Sequence, residues 1–582
     1  MLRIILIYAP PWKITPAGEA PYEKTEGPPS EGPCEQLLRG DSEHIPLGLL
    51  SLAAQARSAG HDVRVLNLFA FAWKDIEDII TATAADLYGL SCFTLNRRGT
   101  VMLAELIRRL HPQAHIAVGG PHASVLPGEM LAHCSAIDTV VIGEGEQTFM
   151  ELVSRLKSGN DVSAIPGTAF RTPQGHCIAE PRRLIDDLDR LVPPTRYFDD
   201  HIVLSARGCA WDCSFCASRS LWGRSIRTHS ADYVLDMLAE LVQSRGLSAL
   251  AFKDETFTAD RTRTLALCRG MRERGLNIAW SCDTRADVLD AELLHAMRSA
   301  GCRRISLGVE SADEEILRKL NKKISPAQVQ AATRLARSVG LSVRYYMIAG
   351  SPGETMASVQ RSLDFVRAAG PNEVIFNPFT LLPGTRDWER ALRDGGADST
   401  WFFADTFLEL QPLTRDNKPE SAELRAWLQA NSGLRQVRPF SADECRTFVR
   451  MFPGLASAHL DLAEALLRED TAETAAQAAR QALDAGHPQP GLCRNLLACC
   501  ALRQCRLQEA LELLLAAAES GCHQVVNRNI EAAQQWAALG GPASGRILDL
   551  ASDTSFEISR PRCQPVGPGK LKINGRTYAP VF

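Results

Sequence analysis

Three cysteines in the middle of the chain are spaced closely enough to bind one metal centre. Cys209, Cys213 and Cys216 form a Cys-x3-Cys-x2-Cys pattern directly after a predicted strand at 202–206. Iron–sulfur clusters are bound by closely spaced cysteine thiolates and normally take four ligands. Three ligands in one loop leave one iron open to a group that is not protein. The pattern favours a catalytic cluster; the alternatives are a structural zinc site, which usually has two separated cysteine pairs, and a coincidental spacing.

Polar residues also stand at the ends of three later predicted strands. Asp254 and Glu255 lie in Phe-Lys-Asp-Glu-Thr-Phe, Glu310 lies in Ser-Leu-Gly-Val-Glu-Ser, and Gly350 and Ser351 begin a Gly-Ser-Pro-Gly-Glu-Thr turn. A carboxylate at a strand end is most often simply solvated, and it can also bind a cationic amine in a shielded pocket. The order of these segments behind the cysteine loop favours one shared binding site.

The elements that must position these residues alternate between strands and helices across residues 201–390. Such alternation is typical of a parallel sheet with crossover helices. It predicts a partial (β/α)6 barrel, in which the loops at the carboxyl ends of the strands carry the chemistry. Strands are predicted at 202–206, 249–253, 278–282, 304–309, 343–348 and 373–377, and helices include 231–244 and 325–338.

Residues 1–158 show the same alternation and predict a five-stranded, Rossmann-like unit of the flavodoxin type. Gly119 and Gly120 end the fourth predicted strand, and Gly143 and Gly145 follow the fifth. Glycine lets the backbone approach a ligand closely, although tight turns alone would also explain these positions. The predicted strands are 3–9, 62–68, 87–92, 115–120 and 138–143, with helices at 47–59 and 99–110 and a long loop at 15–43.

The cysteine loop, written Cys-x3-Cys-x-Φ-Cys with Phe215 as the aromatic residue, resembles the defining loop of the radical S-adenosylmethionine (SAM) superfamily. The resemblance covers about residues 200–390. It implies a 4Fe-4S cluster on the three cysteines, with SAM chelating the fourth iron. It also implies one-electron cleavage of SAM to methionine and a 5′-deoxyadenosyl radical, which abstracts hydrogen from an unactivated position.

The same resemblance implies contacts with SAM from residues at the strand ends. Ser351 stands where the family usually has leucine, which should matter little in a turn. The implied contacts are Phe215 near the adenine, Asp254 and Glu255 at the amino group, Glu310 near the ribose or the reaction centre, and Gly350 and Ser351 in the turn after the fifth strand.

Residues 1–158 resemble the cobalamin-binding domain that precedes the barrel in many radical SAM enzymes. The resemblance rests on the segments 45–50, 59–63, 117–124 and 140–149, and Gly-Glu-Gly-Glu in the last of these is its most specific element. It implies cobalamin contacts from residues that follow the fourth and fifth strands, namely Gly119, Gly120, His122, Gly143, Glu144, Gly145 and Glu146.

The cobalt ligand is left open by the sequence. Cobalamin modules with an axial histidine carry Asp-x-His-x-x-Gly, which is absent here, and Asp41-Ser42-Glu43-His44 has the wrong spacing. Many members of the fused family also lack that motif. His122 as a turn or hydrogen-bonding residue, and a domain that no longer binds cobalamin, are the alternatives.

Together the two resemblances imply a cobalamin-dependent radical SAM methyltransferase. Its substrate would be a weakly reactive carbon of a small molecule or peptide, and its electron donor a protein such as flavodoxin or ferredoxin. The alternative within the family is oxidative cyclisation or ring rearrangement. The alternative from a different class is a non-enzymatic cobalamin- or redox-sensing scaffold.

The overall composition narrows the class of protein. A net charge of -4 gives no sign of a nucleic-acid coat or a polybasic membrane anchor. No apolar run reaches the roughly 18 residues of a transmembrane helix, and residues 1–11 predict a buried strand better than a signal peptide. The 17 scattered cysteines favour a reducing cytoplasm over a disulfide framework.

The remaining segments predict accessory structure. Residues 456–545 carry a helical repeat at an offset of 35 positions, from Leu462 to Leu497, close to the tetratricopeptide period of about 34. Such repeats bind peptides or proteins, and a helical cap that only packs against the barrel is the alternative. Residues 159–200 predict an irregular connector, 391–455 a mixed linker, and 546–582 a tail with a small hairpin at Asn574-Gly575.

Overall fold

The computed structural model describes residues 1–10, 46–68, 71, 73–198, 202–403, 419–431, 435–521, 524–538, 571–573 and 576–578. The predicted loop at 15–43, Asp41 to His44 and most of the tail at 546–582 lie outside the described residues. Within the described ranges, no helix is long and apolar enough to cross a membrane.

The amino-terminal part is built on a seven-stranded sheet. Five parallel strands in the order β2-β1-β3-β4-β5 have the flavodoxin-like arrangement that the sequence predicts. The strand order reverses beside β1, where the carboxyl ends of the strands leave room for a ligand. The strands are β1 (Arg3–Tyr8), β2 (Asp62–Asn67), β3 (Leu87–Ser91), β4 (His115–Gly119) and β5 (Thr139–Val141).

Helices cover both faces of this sheet because successive side chains of each strand point to opposite faces. In β1, Ile5 and Ile7 join one apolar cluster, and Ile4 and Leu6 join another. Helices α1 (Leu47–Ser58) and α6 (Gly145–Ser158) pack in the second cluster. The first is covered by α2 (Trp73–Ala82), α3 (Arg97–Leu110), α4 (Pro121–Val125) and α5 (Pro127–His133).

Two strands that the sequence analysis did not predict extend this sheet. The segment predicted as an irregular connector contains β6 (Thr168–Thr172) and β7 (Gly175–Ile178), which form a hairpin on the edge of β5. Pro173 and Gln174 make the two-residue turn of the hairpin, so the proline that suggested a break is where the chain reverses. All four residues of β7 are exposed, which explains the missing apolar periodicity.

The central part is the predicted partial barrel. Six parallel strands lie in the order β8-β11-β12-β13-β14-β15, and an antiparallel edge strand, β16, pairs with β15. A short antiparallel pair, β9 and β10, follows β8 at its carboxyl end. The strands are β8 (Ile202–Val203), β9 (Ala206–Arg207), β10 (Arg227–Thr228), β11 (Ala249–Phe252), β12 (Ala279–Thr284), β13 (Cys302–Glu310), β14 (Ser342–Ala349), β15 (Glu373–Pro378) and β16 (Arg435–Val437).

Helices of the barrel begin at polar caps, which fix where the loops after the strands end. The side chains of Asp260, Ser325 and Thr355 each accept a hydrogen bond from the first turn of the following helix. The helices are α7 (Ser218–Trp222), α8 (Ala231–Ala239), α9 (Arg261–Glu273), α10 (Ala291–Ser299), α11 (Glu314–Lys319), α12 (Pro326–Ser338), α13 (Met356–Ala369), α14 (Arg386–Arg393) and α15 (Pro419–Asn431).

The carboxyl-terminal part consists of helices packed in chain order around buried alanine and leucine side chains. Corresponding helices of its two hairpins begin 34 and 35 positions apart, at 456 and 490 and at 472 and 507. That these helical hairpins are tetratricopeptide repeats stays a prediction. The helices are α16 (Ala442–Met451), α17 (Ala456–Arg468), α18 (Ala472–Asp484), α19 (Pro490–Arg503), α20 (Leu507–Glu519) and α21 (Gln524–Ala538). Beyond them, β17 (Leu571–Ile573) and β18 (Arg576–Tyr578) pair antiparallel.

Candidate functional site

The three predicted cluster cysteines lie in one loop between β9 and α7, at the carboxyl end of the first barrel strand. All three are free and half-buried, so their thiols are neither sealed in the core nor used in a disulfide. Ser214, between two of them, donates its backbone N–H to the Leu320 carbonyl at 2.9 Å and its hydroxyl to Asp387 at 2.8 Å. The loop is therefore held from two other elements of the barrel.

Three free, half-buried thiols in one loop are a donor set that fits an iron–sulfur cluster. Without a bound metal, burial favours the neutral thiol. Burial raises the pKa of Cys213, and it raises the pKa of Cys216 to about 11, with the neighbouring thiols adding to the shift. Metal binding deprotonates such thiols and offsets this cost. Among the described residues, no group of three His, Cys, Asp or Glu side chains is placed to hold a metal ion, so ligation by the three cysteines stays a prediction.

Gly208 shapes the start of the cysteine loop. Its φ is +96°, and a Cβ at this position would lie 2.2 Å from the carbonyl oxygen of Ser225. Residues with side chains rarely adopt this backbone conformation. A glycine before Cys209 is thus required for the loop to pass so close to the strand pair β9–β10.

Asp254 and Glu255, predicted to contact the SAM amino group, follow β11 and have different surroundings. The buried Asp254 carboxylate accepts hydrogen bonds from Ser205 N at 2.6 Å, Ser205 Oγ at 2.5 Å and Ala206 N at 3.0 Å. Burial raises its pKa to about 6, while these hydrogen bonds oppose the rise. Asp254 therefore holds the backbone that leads into the cysteine loop. Glu255 is half-buried, and among the described contacts its carboxylate accepts only from the Ser218 hydroxyl, at 3.2 Å.

The turn after β14 contains Gly350 and Ser351. Glu354 accepts hydrogen bonds from the backbone N–H groups of both residues, at 2.6 and 3.0 Å, and so fixes the shape of the turn. Burial raises the pKa of Glu354 to about 7. The Ser351 hydroxyl is buried and has no partner within the described part of the chain, which is the condition expected of a group that binds a ligand.

Phe215 and Glu310 lie beside the same end of the barrel. Phe215, within the cysteine loop, packs against a small apolar cluster that includes Ile316 and Phe379. Glu310 ends β13 and pairs with the buried ammonium group of Lys322 at 2.8 Å. Burial alone would lower the pKa of Lys322, but Glu310 and Cys213 raise it, so this lysine is a cation.

In the amino-terminal sheet, the predicted cobalamin-binding glycines lie at the carboxyl ends of β4 and β5. Gly120 has a φ of +99°, and a Cβ there would come within 2.8 Å of the Cys92 carbonyl oxygen. Gly143 has a φ of +75° and no atom within 4 Å of a Cβ position, so the described residues leave the backbone at this point accessible to a ligand. Gly119 and Gly145 complete the two turns.

His122 is buried in α4, where its Nδ1 lies 3.1 Å from the Thr94 hydroxyl. Its ring meets Phe402 edge-on, with 5.3 Å between the centroids. Burial, and next the charge of Arg97, lower its pKa to about 3, so the imidazole is neutral. Its buried Nε2 has no partner among the described residues. A neutral imidazole with an unused nitrogen fits a metal or a hydrogen-bonding ligand, and the contact with cobalamin stays a prediction.

Glu144 and Glu146 have protein partners in the barrel. Arg207 donates to Glu144 at 2.9 Å and to Glu146 at 2.6 Å, and Arg227 donates to Glu144 at 2.8 Å. The Ile185 backbone N–H also donates to Glu144. We refer to Glu144, Glu146, Arg207 and Arg227 as the front ion group. Its carboxylates are occupied by arginines, which leaves the backbone of the Gly-Glu-Gly-Glu turn as the part that can face a cofactor.

The front ion group joins the two predicted cofactor regions, and the sequence analysis missed its arginines. Arg207 precedes Cys209 by two positions, while Glu144 and Glu146 follow β5 in the amino-terminal sheet. The Arg207 guanidinium also lies over the Trp222 ring, 5.4 Å from its centroid. An arginine beside the cysteine loop was visible in the sequence, but its partners about 60 positions earlier were not.

Comparison with known proteins gives the same two regions. Residues 38–153 match the family described as the B12 binding domain, and residues 203–366 match the radical SAM superfamily. The chain is 30% identical over 378 residues to an uncharacterised methyltransferase of Pyrococcus horikoshii, across 63% of this chain and 82% of that protein. It is 26% identical over 353 residues to the anaerobic magnesium-protoporphyrin IX monomethyl ester cyclase of Rubrivivax gelatinosus, across 58% of this chain and 60% of the cyclase.

A solved structure shares the fold. It is the radical SAM methyltransferase TsrM of Kitasatospora setae with cobalamin and a [4Fe-4S] cluster bound. The TM-score is 0.54 at 20% sequence identity, across 68% of this chain and 75% of that one. At this identity the likeness concerns the arrangement of the sheets and helices.

Proposed function

We propose that this chain, which belongs to the family of radical SAM enzymes with a cobalamin-binding domain, transfers a methyl group to a weakly reactive carbon of its substrate. The observation that carries the proposal is the front ion group, because it fixes the cysteine loop directly against the Gly-Glu-Gly-Glu turn of the amino-terminal sheet. An enzyme that uses two cofactors on one substrate must hold them at a constant separation. The named activity of the Pyrococcus horikoshii relative supports the same reaction.

The residues at the barrel end would divide the binding of the cluster and SAM between them. Cys209, Cys213 and Cys216 would hold the iron–sulfur cluster, while Asp254 holds the strand that leads to them. Glu255 would bind the SAM ammonium group. Gly350 and Ser351 would bind the rest of SAM in a turn that Glu354 keeps in shape. When bound, the cluster and SAM supply a carbon radical that removes hydrogen from the substrate, and cobalamin supplies the methyl group.

The residues of the amino-terminal sheet would hold cobalamin against the barrel. Gly143 has open space at its Cβ position, where a large planar ligand would approach. Gly119, Gly120 and Gly145 have protein atoms within 4 Å of a Cβ position and would contact the ligand through their backbone alone. His122 presents a neutral ring with an unused Nε2. The Arg207 and Glu144 side chains are 10% and 3% exposed, so the region where the sheet meets the barrel is shielded from water. Exclusion of water protects reactive intermediates.

A small-molecule substrate fits the family. A peptide is the alternative substrate, and the predicted helical repeats favour it. An electron donor such as flavodoxin or ferredoxin, a partner protein at the helical repeats and a cytoplasmic location stay predictions.

The proposal is tested by anaerobic reconstitution with iron, sulfide and hydroxocobalamin, followed by SAM and a strong reductant. We expect cluster absorbance, corrinoid that survives desalting, and release of 5′-deoxyadenosine. Cys213→Ala should abolish the deoxyadenosine, whereas Cys177→Ala, which changes an exposed cysteine on β7, should not. A wild-type chain that loads no cluster would contradict the assignment.

A second reaction, oxidative cyclisation, is favoured by one observation, the similarity to the Rubrivivax gelatinosus cyclase. The mass of the product separates the two reactions once a substrate is found. A gain of one methylene supports methyl transfer, and a loss of hydrogen without added carbon supports cyclisation.

A further inference from the structure

The turn between α11 and α12 buries Lys322 and has an unusual backbone conformation on either side of it. Asn321 and Lys323 both have a φ of +51°, although neither is glycine. Between them Lys322 is buried, with its side chain only 7% exposed. Two left-handed residues around one buried lysine cost free energy that the surrounding structure must offset, and such strain concentrates at functional sites.

The partner of this lysine lies in an equally unusual place. Glu310 has a φ of +67° and follows an irregularity in the pairing of β13 with β14. A Cβ on Gly308 would lie 2.7 Å from the Glu310 carboxylate and 2.8 Å from the Lys322 ammonium nitrogen. A side chain at 308 would therefore displace the charged ends of both partners. Left-handed backbone thus occurs at or beside both partners of this one contact.

The lysine turn is tied directly to the cysteine loop. The Leu320 carbonyl accepts from Ser214 N at 2.9 Å, and the Asn321 side-chain amide donates to the Asp212 carbonyl. Ser214 and Asp212 flank Cys213 on either side. Burial raises the pKa of Cys213, and the positive charges of Lys322 and Arg285 oppose that rise. A fixed positive charge thus borders the predicted cluster.

A second cation reaches the same loop from β12. Arg285 donates to the Lys322 carbonyl oxygen at 3.2 Å, and its guanidinium lies 4.4 Å from the centroid of the Trp211 ring. Its other partner is Asp287, at 2.9 and 3.0 Å. The side chain of Arg285 is 5% exposed, so its charge is poorly screened by water.

We propose that Lys322 and Arg285 are positioning residues that raise the reduction potential of the iron–sulfur cluster, with Glu310 as the opposing charge. The inference rests on the proposed function, because it requires a cluster on Cys209, Cys213 and Cys216. Reduction adds one electron from an external reductant to the cluster and breaks no bond. Nearby fixed charges in a low-dielectric site change the free energy of that step, and hydrogen bonds and burial around a cluster are known levers on its potential. Lys322 keeps its proton throughout.

The charges predict shifts of opposite sign, which a merely structural ion pair does not. Lys322→Met removes the cation and keeps the side-chain length, so the reduced cluster loses stabilisation. Glu310→Gln removes the anion beside the same lysine, so the reduced cluster becomes more stable than in the wild type. A purely structural role predicts no such opposition of sign between the two variants. Lys323→Met is the matched control, because Lys323 lies in the same turn and its side chain is exposed.

The experiment is an anaerobic redox titration with dithionite and mediators, monitored by electron paramagnetic resonance without SAM. For Lys322→Met we expect the equilibrium constant for reduction to fall about tenfold, which is about 59 mV for one electron. Glu310→Gln should shift the midpoint upward, and Lys323→Met should leave it at the wild-type value. If Lys322→Met does not fold, Arg285→Met carries the test and should shift the midpoint downward. Unchanged midpoints, or shifts of the same sign in Lys322→Met and Glu310→Gln, would overturn the inference. A wild-type chain without any cluster signal would instead overturn the proposed function.

Discussion

The barrel is joined to its two neighbours by buried ion pairs of similar chemistry but different position. The front ion group joins it to the amino-terminal sheet. At the helical part, Arg298 and Arg303 both bind Asp461, with distances of 2.9 Å from each guanidinium to Oδ2. We refer to these three residues as the rear ion group. In both groups the carboxylate side chains are at most 8% exposed.

The difference lies in where each group meets the strands. Arg207 stands at the carboxyl end of the first barrel strand, two positions before a predicted cluster ligand, whereas Arg303 stands at the beginning of β13. In parallel barrels the chemistry is carried by the carboxyl ends, and the opposite end contributes to stability. We therefore expect damage to the rear ion group to loosen the helical part and damage to the front ion group to impair the reaction.

The largest effect is expected from Asp461→Asn in the rear ion group. Two buried guanidinium groups would lose their counter-charge, which costs about 3–5 kcal/mol when a buried ion pair loses one partner. Thermal unfolding monitored by circular dichroism should show earlier loss of the helical part, while cluster absorbance per folded chain stays at the wild-type value.

The matched control for this variant is Asp470→Asn, since Asp470 pairs with Arg503 but its side chain is 78% exposed. An exposed pair contributes only about 0–1 kcal/mol. Equal losses of stability in both variants would show that burial of the rear ion group is irrelevant.

A smaller loss of stability and a larger loss of activity are expected from Glu144→Gln in the front ion group. Glutamine keeps the shape but weakens the hydrogen bonds to Arg207 and Arg227, and bonds to charged groups contribute about 1.5–3 kcal/mol. The loss is smaller than in Asp461→Asn because Arg207 keeps Glu146 as a counter-charge. Deoxyadenosine release should fall by ~10-fold, because a misplacement of 1 Å can cost up to 10²-fold. If deoxyadenosine release survives in Glu144→Gln but is lost in Asp461→Asn, the reaction depends on the rear ion group and not on the front ion group.

Gly208→Ala tests whether the close approach of Gly208 to the Ser225 carbonyl shapes the cysteine loop. The added methyl group would collide with the Ser225 carbonyl, and alanine at a φ of +96° costs of the order of 1–3 kcal/mol. We expect less iron per chain after reconstitution. Gly223→Ala is the control, because Gly223 also has a positive φ but no atom within 4 Å of a Cβ position. Equal iron content in the two variants would argue against a role for the close approach.

Sequence patterns predicted most of the sheet architecture, because each buried strand and its following helix leave a local periodicity. Five strands of the first sheet and six of the barrel lie within a few residues of their predicted bounds. The hairpin β6–β7 was missed because β7 is exposed along its whole length and Pro173 stands in its turn. The edge strand β16 was also missed, since three residues show no period.

The site was predictable only where function requires a residue type at a fixed spacing. The cysteine loop and the glycine turns have that property. Contacts between distant segments do not, so the sequence indicated cofactor contacts for Glu144 and Glu146 and could not show the arginines that bind them. It likewise identified Glu310 but not Lys322, whose burial depends on a backbone conformation that no residue type at 321 or 323 reveals.

The smallest expected effect concerns the pH dependence of stability near the rear ion group. His487 is buried beside Arg303, and its Nδ1 accepts from Gln489 N at 3.0 Å. Burial, and next the charge of Arg303, lower its pKa from 6.5 to about 3, so the folded protein holds a neutral imidazole. Below pH 6.5 the unfolded chain binds a proton that the folded chain does not, and stability falls with the pH. From 6.5 to about 5.5 this loss is roughly 1 kcal/mol. His487→Asn keeps an acceptor near the Nδ1 position and should flatten the acid side of a plot of melting temperature against pH, and an unchanged slope would assign the loss to another group.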